Sequence, residues 1–236
     1  QNKEDLIKIY NCMASKILVQ TFIPYLPNIP NYELSFFNND EKKYIENLHE
    51  NKKIILYPAT FWAHKNHKYI IDSLIEIKNR NINNFHFIMC GSDRGTFKYI
   101  KKLVVENKLS DHITILPLVS NLLLKNLYEK CFAVIMPTDA GPTNLPLYEA
   151  MYFKKPIFYS KNLNDQEVKE IIISIDIKNP SNFVNKIIDL KDDEIAVKIN
   201  LGSLYYKKYC NQNDFNKLYM NIINDFKEIL SKWRDV

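Results

Sequence analysis

The stretch KKIILYPATFWAHKNHKYIIDSLIEIKNRNINNFHFIMCG, residues 52–91, decides the fold. It opens with an apolar run, 52–59, whose length suits a strand. A helix is expected over 67–80, with Ile70, Ile71, Leu74, Ile75 and Ile77 gathered on one side. The second apolar run, 85–91, is again strand-like. Both runs are apolar throughout instead of alternating with polar residues, as strands covered by helices on both faces must be. The unit then repeats. A helix over 94–107 carries Phe97, Ile100, Leu103 and Val104, and ITILPL at 113–118 is the third strand. A helix at 122–130 leads to FAVIMP, 132–137; a helix starting near 145 leads to PIFYS, 156–160; and IIISID, 171–176, is a sixth strand. Strand and helix alternating at this spacing build a parallel, doubly wound sheet, so the fold class is Rossmann-like α/β.

Outward from this core the pattern weakens. Residues 1–10 read as the end of a helix, 16–21 as a short strand, and 22–32, with prolines at 24, 27 and 30, as an extended linker. A polar helix is expected at 40–49. Beyond Pro180 the chain is helical to its end. Phe215, Leu218, Tyr219, Ile222, Ile223, Phe226, Ile229, Leu230 and Trp233 form a wide apolar stripe there, which is expected to pack on the chain's own domain. Three regions result: 1–32, the end of a preceding domain with its linker; 33–212, the α/β domain; and 213–236, a C-terminal helix expected to pack across the cleft.

Composition narrows the function classes. With 46% hydrophobic and 13% aromatic residues the chain can bury an ordinary core. No apolar run reaches the roughly 18 residues of a membrane span, and the N-terminus lacks a signal-peptide pattern. Cys12, Cys90, Cys131 and Cys210 are widely separated and form no CxxC, which favours reduced thiols, a cytosolic setting and no metal role. Net charge is +5, carried by scattered Lys; the arginines are Arg80, Arg94 and Arg234. That distribution differs from the clustered Arg of a nucleic-acid surface.

Ligands of open α/β sheets bind beyond the C-terminal ends of the strands. In the loop after the first strand, PATFWAHKNH at 58–67, Asn66 is a candidate cap, and Lys65 stands at a helix N-terminus where free amides and a point charge suit a phosphate. His64 and His67 have the spacing of metal ligands, but no third ligand accompanies them. In TDAGPTNLPLYE, 138–149, Gly141 frees the backbone, and the amides of Thr143, Asn144 and Leu145 open a helix as an anion cradle. Glu149, a turn later, either caps its own helix or receives two hydroxyls of a ribose. In CGSDRG, 90–95, Gly91 ends a strand and Ser92 or Asp93 caps the next helix. No dinucleotide fingerprint, P-loop or nucleophile elbow is present.

Together these segments resemble the family 4 glycosyltransferases, retaining enzymes of the GT-B fold, over about residues 52–160. YPATFWAHKNHKYIIDSL is similar to the first strand and phosphate loop of bacterial polysaccharide members. HITILPLVSNLLLKNLYEKC resembles the loop that passes the nucleobase, and AVIMPTDAGPTNLPLYEAMYFKKPIFYS the family's most specific region. The resemblance implies the C-terminal, donor-binding half of a GT-B enzyme. Lys65 would contact the donor diphosphate, the amides around Asn144 and Leu145 the distal phosphate or sugar, Glu149 the ribose and Val119 the base. The chain departs from the family at position 141, where Gly replaces the first Glu of E-x7-E; at 60, where Thr replaces Arg; and at 117, where Pro replaces Gly. With one cation fewer, His64 or His67 is expected to share the phosphate role. The implied substrate is a UDP- or GDP-sugar, with no metal or other cofactor. The acceptor, a surface glycan or lipid-linked glycan, would be held by an N-terminal half, and the full-length protein would sit in the cytoplasm at the inner face of the membrane. Residues 1–236 alone are expected to bind donor with little transfer. The alternatives are a GT-B-fold sugar-nucleotide epimerase, a non-catalytic nucleotide-sugar-binding module and, from another class, a flavodoxin-like signalling domain.

Overall fold

The computed structural model describes residues 2–14, 17, 23–30, 33–46, 51–139, 145–160 and 166–234. Its elements in chain order begin with α1 (Asn2–Tyr10) and α2 (Asn39–Glu46), followed by β1 (Lys53–Pro58), α3 (His67–Asn79), β2 (Phe85–Cys90) and α4 (Phe97–Glu106). Next come β3 (Ile113–Leu116), α5 (Asn121–Lys130), β4 (Ala133–Met136), α6 (Leu145–Tyr152) and β5 (Ile157–Ser160). The chain continues through α7 (Gln166–Ile171), β6 (Ile173–Ile175), α8 (Pro180–Asp189), α9 (Asp192–Tyr209) and α10 (Gln212–Arg234). The strands form one sheet in the order β3-β2-β1-β4-β5-β6, and every neighbouring pair is parallel. This is the doubly wound Rossmann-like arrangement expected from the sequence.

The apolar strands divide their side chains between two cores, as the two-residue period of a strand requires. Ile55, Tyr57, Phe87, Met89, Ile135 and Phe158 point to one face, where α3, α4 and α8 cover them. Ile54, Leu56, Ile88, Val134, Met136 and Tyr159 point to the other, under α5, α6 and α7, with Leu201, Tyr205 and Tyr206 of α9 packed against that cluster. Burying both faces is what makes all six residues of β2 inaccessible. Each large side chain in such a strand contributes about 2–5 kcal/mol relative to Ala.

Several local expectations are revised. Asn66 does not cap α3: it adopts a left-handed conformation (φ 54°, ψ 44°), its side chain makes no cap bond, and a 3-10 turn, Ala63–Lys65, precedes it. The helix expected from 94 begins at Phe97, because Asp93 Oδ1 accepts the amides of both Gly95 (2.8 Å) and Phe97 (3.3 Å). Asp93, not Ser92, is therefore the capping side chain. Within the expected linker, Leu26–Asn28 forms a 3-10 turn, Leu26 is buried, and Lys125 Nζ donates to the Ile29 carbonyl at 2.6 Å. Much of the stripe on α10 is uncovered: Tyr219, Ile222, Phe226, Ile229 and Leu230 are exposed, while Phe215, Leu218 and Ile223 are half-buried. Of the strand expected at 16–21, all but residue 17 lies outside the described residues.

Candidate functional site

Strand order reverses between β1 and β4, and the loops leaving these two strands flank a crevice at the C-terminal edge of the sheet. The β1 loop is fastened on two sides. Toward β2, Ala59 N donates to Cys90 O and Phe61 N to Ser92 O, each at 2.9 Å, and Thr96 Oγ1 donates to Phe61 O at 2.7 Å. This contact explains Gly91: a Cβ there would lie 2.2 Å from the Ala59 carbonyl oxygen. Toward β4, the carbonyl of His64 accepts from Asp139 N at 3.1 Å and from Thr138 Oγ1 at 3.3 Å. Beneath the turn, the buried Tyr57 hydroxyl donates to the Lys65 carbonyl at 2.5 Å.

The main chain of 64–65 is thus fixed across the switch point, while the side chains of His64 and Lys65 take no part in these bonds. His64 is exposed, with its ring 5.2 Å from that of Trp62. Lys65 is half-buried, and burial lowers its pKa from the ordinary lysine value. Among the described residues no carboxylate forms an ion pair with it. His67 has a different place. Its Nε2 donates to Ala59 O at 3.2 Å, its ring stacks on Phe61 at 4.3 Å, and burial pushes its pKa down to about 4. A neutral imidazole packed in the core brings no positive charge to an anion.

On the opposite wall, Leu145 is the first residue of α6 and is half-buried. Gly141, Thr143 and Asn144 lie outside the described residues. Glu149 faces inward on α6, 8% exposed, and Oε2 accepts the Tyr128 hydroxyl at 2.8 Å. Burial raises its pKa, and the tyrosine hydrogen bond opposes that rise. Among the described residues Tyr128 is the side chain that bonds it. Val119 is half-buried against the α5–α6 core, one residue before Ser120, whose Oγ accepts from Leu123 N at 3.1 Å and caps α5. The Ser120 amide in turn donates to Glu41 Oε1 at 3.1 Å, and Glu41 and Asn38 cap α2 reciprocally. The loop before α5 is therefore tied to α2.

Sequence reasoning missed Tyr57, Thr138 and Tyr128. The available signal was chemical: a tyrosine inside an apolar strand or helix face needs a partner for its hydroxyl. A cavity of about 770 Å³ lies elsewhere, between the end of α6 and one face of α9, lined by Met151, Tyr152, Ile195, Ile199 and Tyr206. Its lining includes no residue of the loop that follows β1.

A sequence model of the Glycosyl transferases group 1 family matches residues 38–203. The chain belongs to that family. It is 26% identical over 159 residues to the O-antigen chain mannosyltransferase RfbU of Salmonella typhimurium, covering 67% of this chain and 39% of that protein. A glycosyltransferase from Rickettsia africae superposes with a TM-score of 0.75 at 19% identity, over 97% of this chain and 61% of its own. Anabaena HepE, solved in complex with UDP and glucose, gives 0.64 at 15% identity over 82% of this chain and 55% of its own. The chain thus spans between two-fifths and three-fifths of these relatives. Among the described residues, no helix is long and apolar enough to cross a membrane.

Proposed function

We propose that this chain is the donor-binding half of a retaining, family 4 type glycosyltransferase and takes a UDP- or GDP-sugar. The observation that carries the reading is the turn at 63–65, fixed at the β1/β4 switch point with Lys65 half-buried and, among the described residues, in no ion pair with a carboxylate. Its ammonium and the amides opening α6 would hold the diphosphate, with Glu149 on the ribose hydroxyls, Val119 beside the base and His64 at the edge of the phosphates. In this reading Gly141, Thr143 and Asn144, which precede α6 in sequence, would supply the rest of the anion contacts. As the bond from sugar C1 to the phosphate oxygen breaks, negative charge collects on the departing diphosphate. Lys65 and oriented amides stabilise that charge best when it is largest, which lowers the barrier. Positive charge supplied this way requires no metal.

The acceptor, a glycan or lipid-linked glycan of a surface polysaccharide, would be bound by protein beyond these residues, with the exposed stripe of α10 covered by that part. Residues 1–236 alone then bind donor but transfer poorly. The same reading puts the enzyme in the cytoplasm, working at the inner membrane face. The mannosyltransferase relative and the UDP complex of HepE support a nucleotide-sugar donor.

Titration calorimetry with UDP, GDP, UDP-GlcNAc and GDP-mannose tests the proposal. Lys65→Ala should weaken binding of the preferred nucleoside diphosphate by about tenfold or more, the scale of one charge-assisted contact, and leave the nucleoside unaffected. Equal affinity in wild type and Lys65→Ala would remove Lys65 from the site.

A further inference from the structure

Glu149 is buried in a setting that does not favour a charge. Among the described residues, the titratable groups that interact with it are Cys90 from β2, Tyr128 from α5 and Tyr206 from α9, and none of these is a cation. The Cys90 thiol is itself pushed up to about 12 by burial, so it stays neutral. Tyr128 is completely buried, and its ring stacks on Phe153 at 5.3 Å with 15° between the planes. A phenylalanine would fill that space equally well. The hydroxyl therefore answers to a polar need: it lies 2.8 Å from Glu149 Oε2, with the Pro146 carbonyl more distant at 3.5 Å.

We propose that Tyr128 is the positioning residue of Glu149, its hydroxyl holding one carboxylate oxygen so that the other meets the ribose hydroxyls of the donor. The inference rests on the nucleotide-sugar reading above. A carboxylate accepts from two ribose hydroxyls only while ionised, whereas a protonated acid loses one of those contacts. Apolar surroundings pull the group toward the neutral acid. The tyrosine O–H opposes that pull, because it bonds more strongly to the carboxylate than to the acid. Without it, Glu149 takes up its proton at higher pH and swings free of its bearing.

Two readouts on this chain test the assignment, one independent of nucleotide. The carbon-13 signals of the glutamate carboxyls are followed against pH in wild type, Tyr128→Phe and Glu149→Gln, the last identifying the Glu149 signal. Tyr128→Phe should raise the Glu149 midpoint, and 3-fluorotyrosine at position 128, a stronger donor of the same shape, should lower it. In parallel, UDP, GDP and their 2′-deoxy analogues are titrated. Wild type should prefer the ribonucleotide by about tenfold. Tyr128→Phe should lose most of that preference, with the acid limb of affinity moved to higher pH, and should have no further effect in the Glu149→Gln background. Unchanged Glu149 midpoints in both Tyr128 variants would overturn the role of Tyr128. Shifted midpoints in a protein whose Glu149→Gln variant binds both nucleotides like wild type would overturn the ribose assignment of Glu149 instead.

Discussion

The Nε2–H of His67 points at the Ala59 carbonyl and its ring lies between Tyr57 and Phe61, leaving Nδ1 buried without a hydrogen-bond partner. Only the neutral imidazole suits that position. Its pKa falls from 6.5 in the unfolded chain to about 4 in the fold. Between those values the unfolded chain binds the extra proton, so the stability due to neutral His67 is complete above pH 6.5 and drains away as pH falls toward 4. The loss amounts to about 3 kcal/mol. Urea unfolding across this range should show wild type losing that much more than His67→Gln; parallel curves would contradict it. Gly91→Ala should cost about 2 kcal/mol or more, since the clash is with backbone that cannot rotate away. An unchanged unfolding midpoint would mean that the two loops are not stapled as described. The histidine spacing at 64 and 67 was visible in the sequence, but the difference between the two residues was not. It arises because one follows a turn into solvent and the other begins α3 beneath Phe61, a contact set by tertiary packing. Glu149 was legible as a candidate, while its dependence on Tyr128, on a separate helix, had no signature in spacing.

At the level of elements, β1 to β6 fall within a residue or two of the apolar runs, because a doubly covered strand needs an unbroken apolar stretch and little else produces one. Helix starts were less legible. α4 begins at Phe97 because Asp93 takes two amides and Thr96 reaches across to Phe61, an interaction between loops far apart in sequence. α10 shows the limit of periodicity: its stripe was read correctly as apolar, but a moment along a helix does not say which surface covers it. With that face exposed, Phe226→Glu should leave the unfolding free energy of residues 1–236 within about 0.5 kcal/mol of wild type. A drop of several kcal/mol would show α10 packed against the α/β domain.

For the whole molecule, the order β3-β2-β1-β4-β5-β6 creates a crevice where the chain reverses direction across the sheet, and the candidate phosphate and ribose groups come from the two strands that meet there. Lys65 and Glu149 are 84 positions apart, yet the topology alone places both after the central strands. The cavity between α6 and α9 supplies a rival location on the same molecule. The central claim is that a nucleoside diphosphate occupies the crevice. An amide nitrogen–proton NMR titration of the chain with UDP and with GDP tests it most directly. One of the two should move the amides of 62–66, 119–120 and 144–149 saturably, leaving 192–207 unmoved. Shifts confined to 192–207, or none with either nucleotide, would contradict the claim.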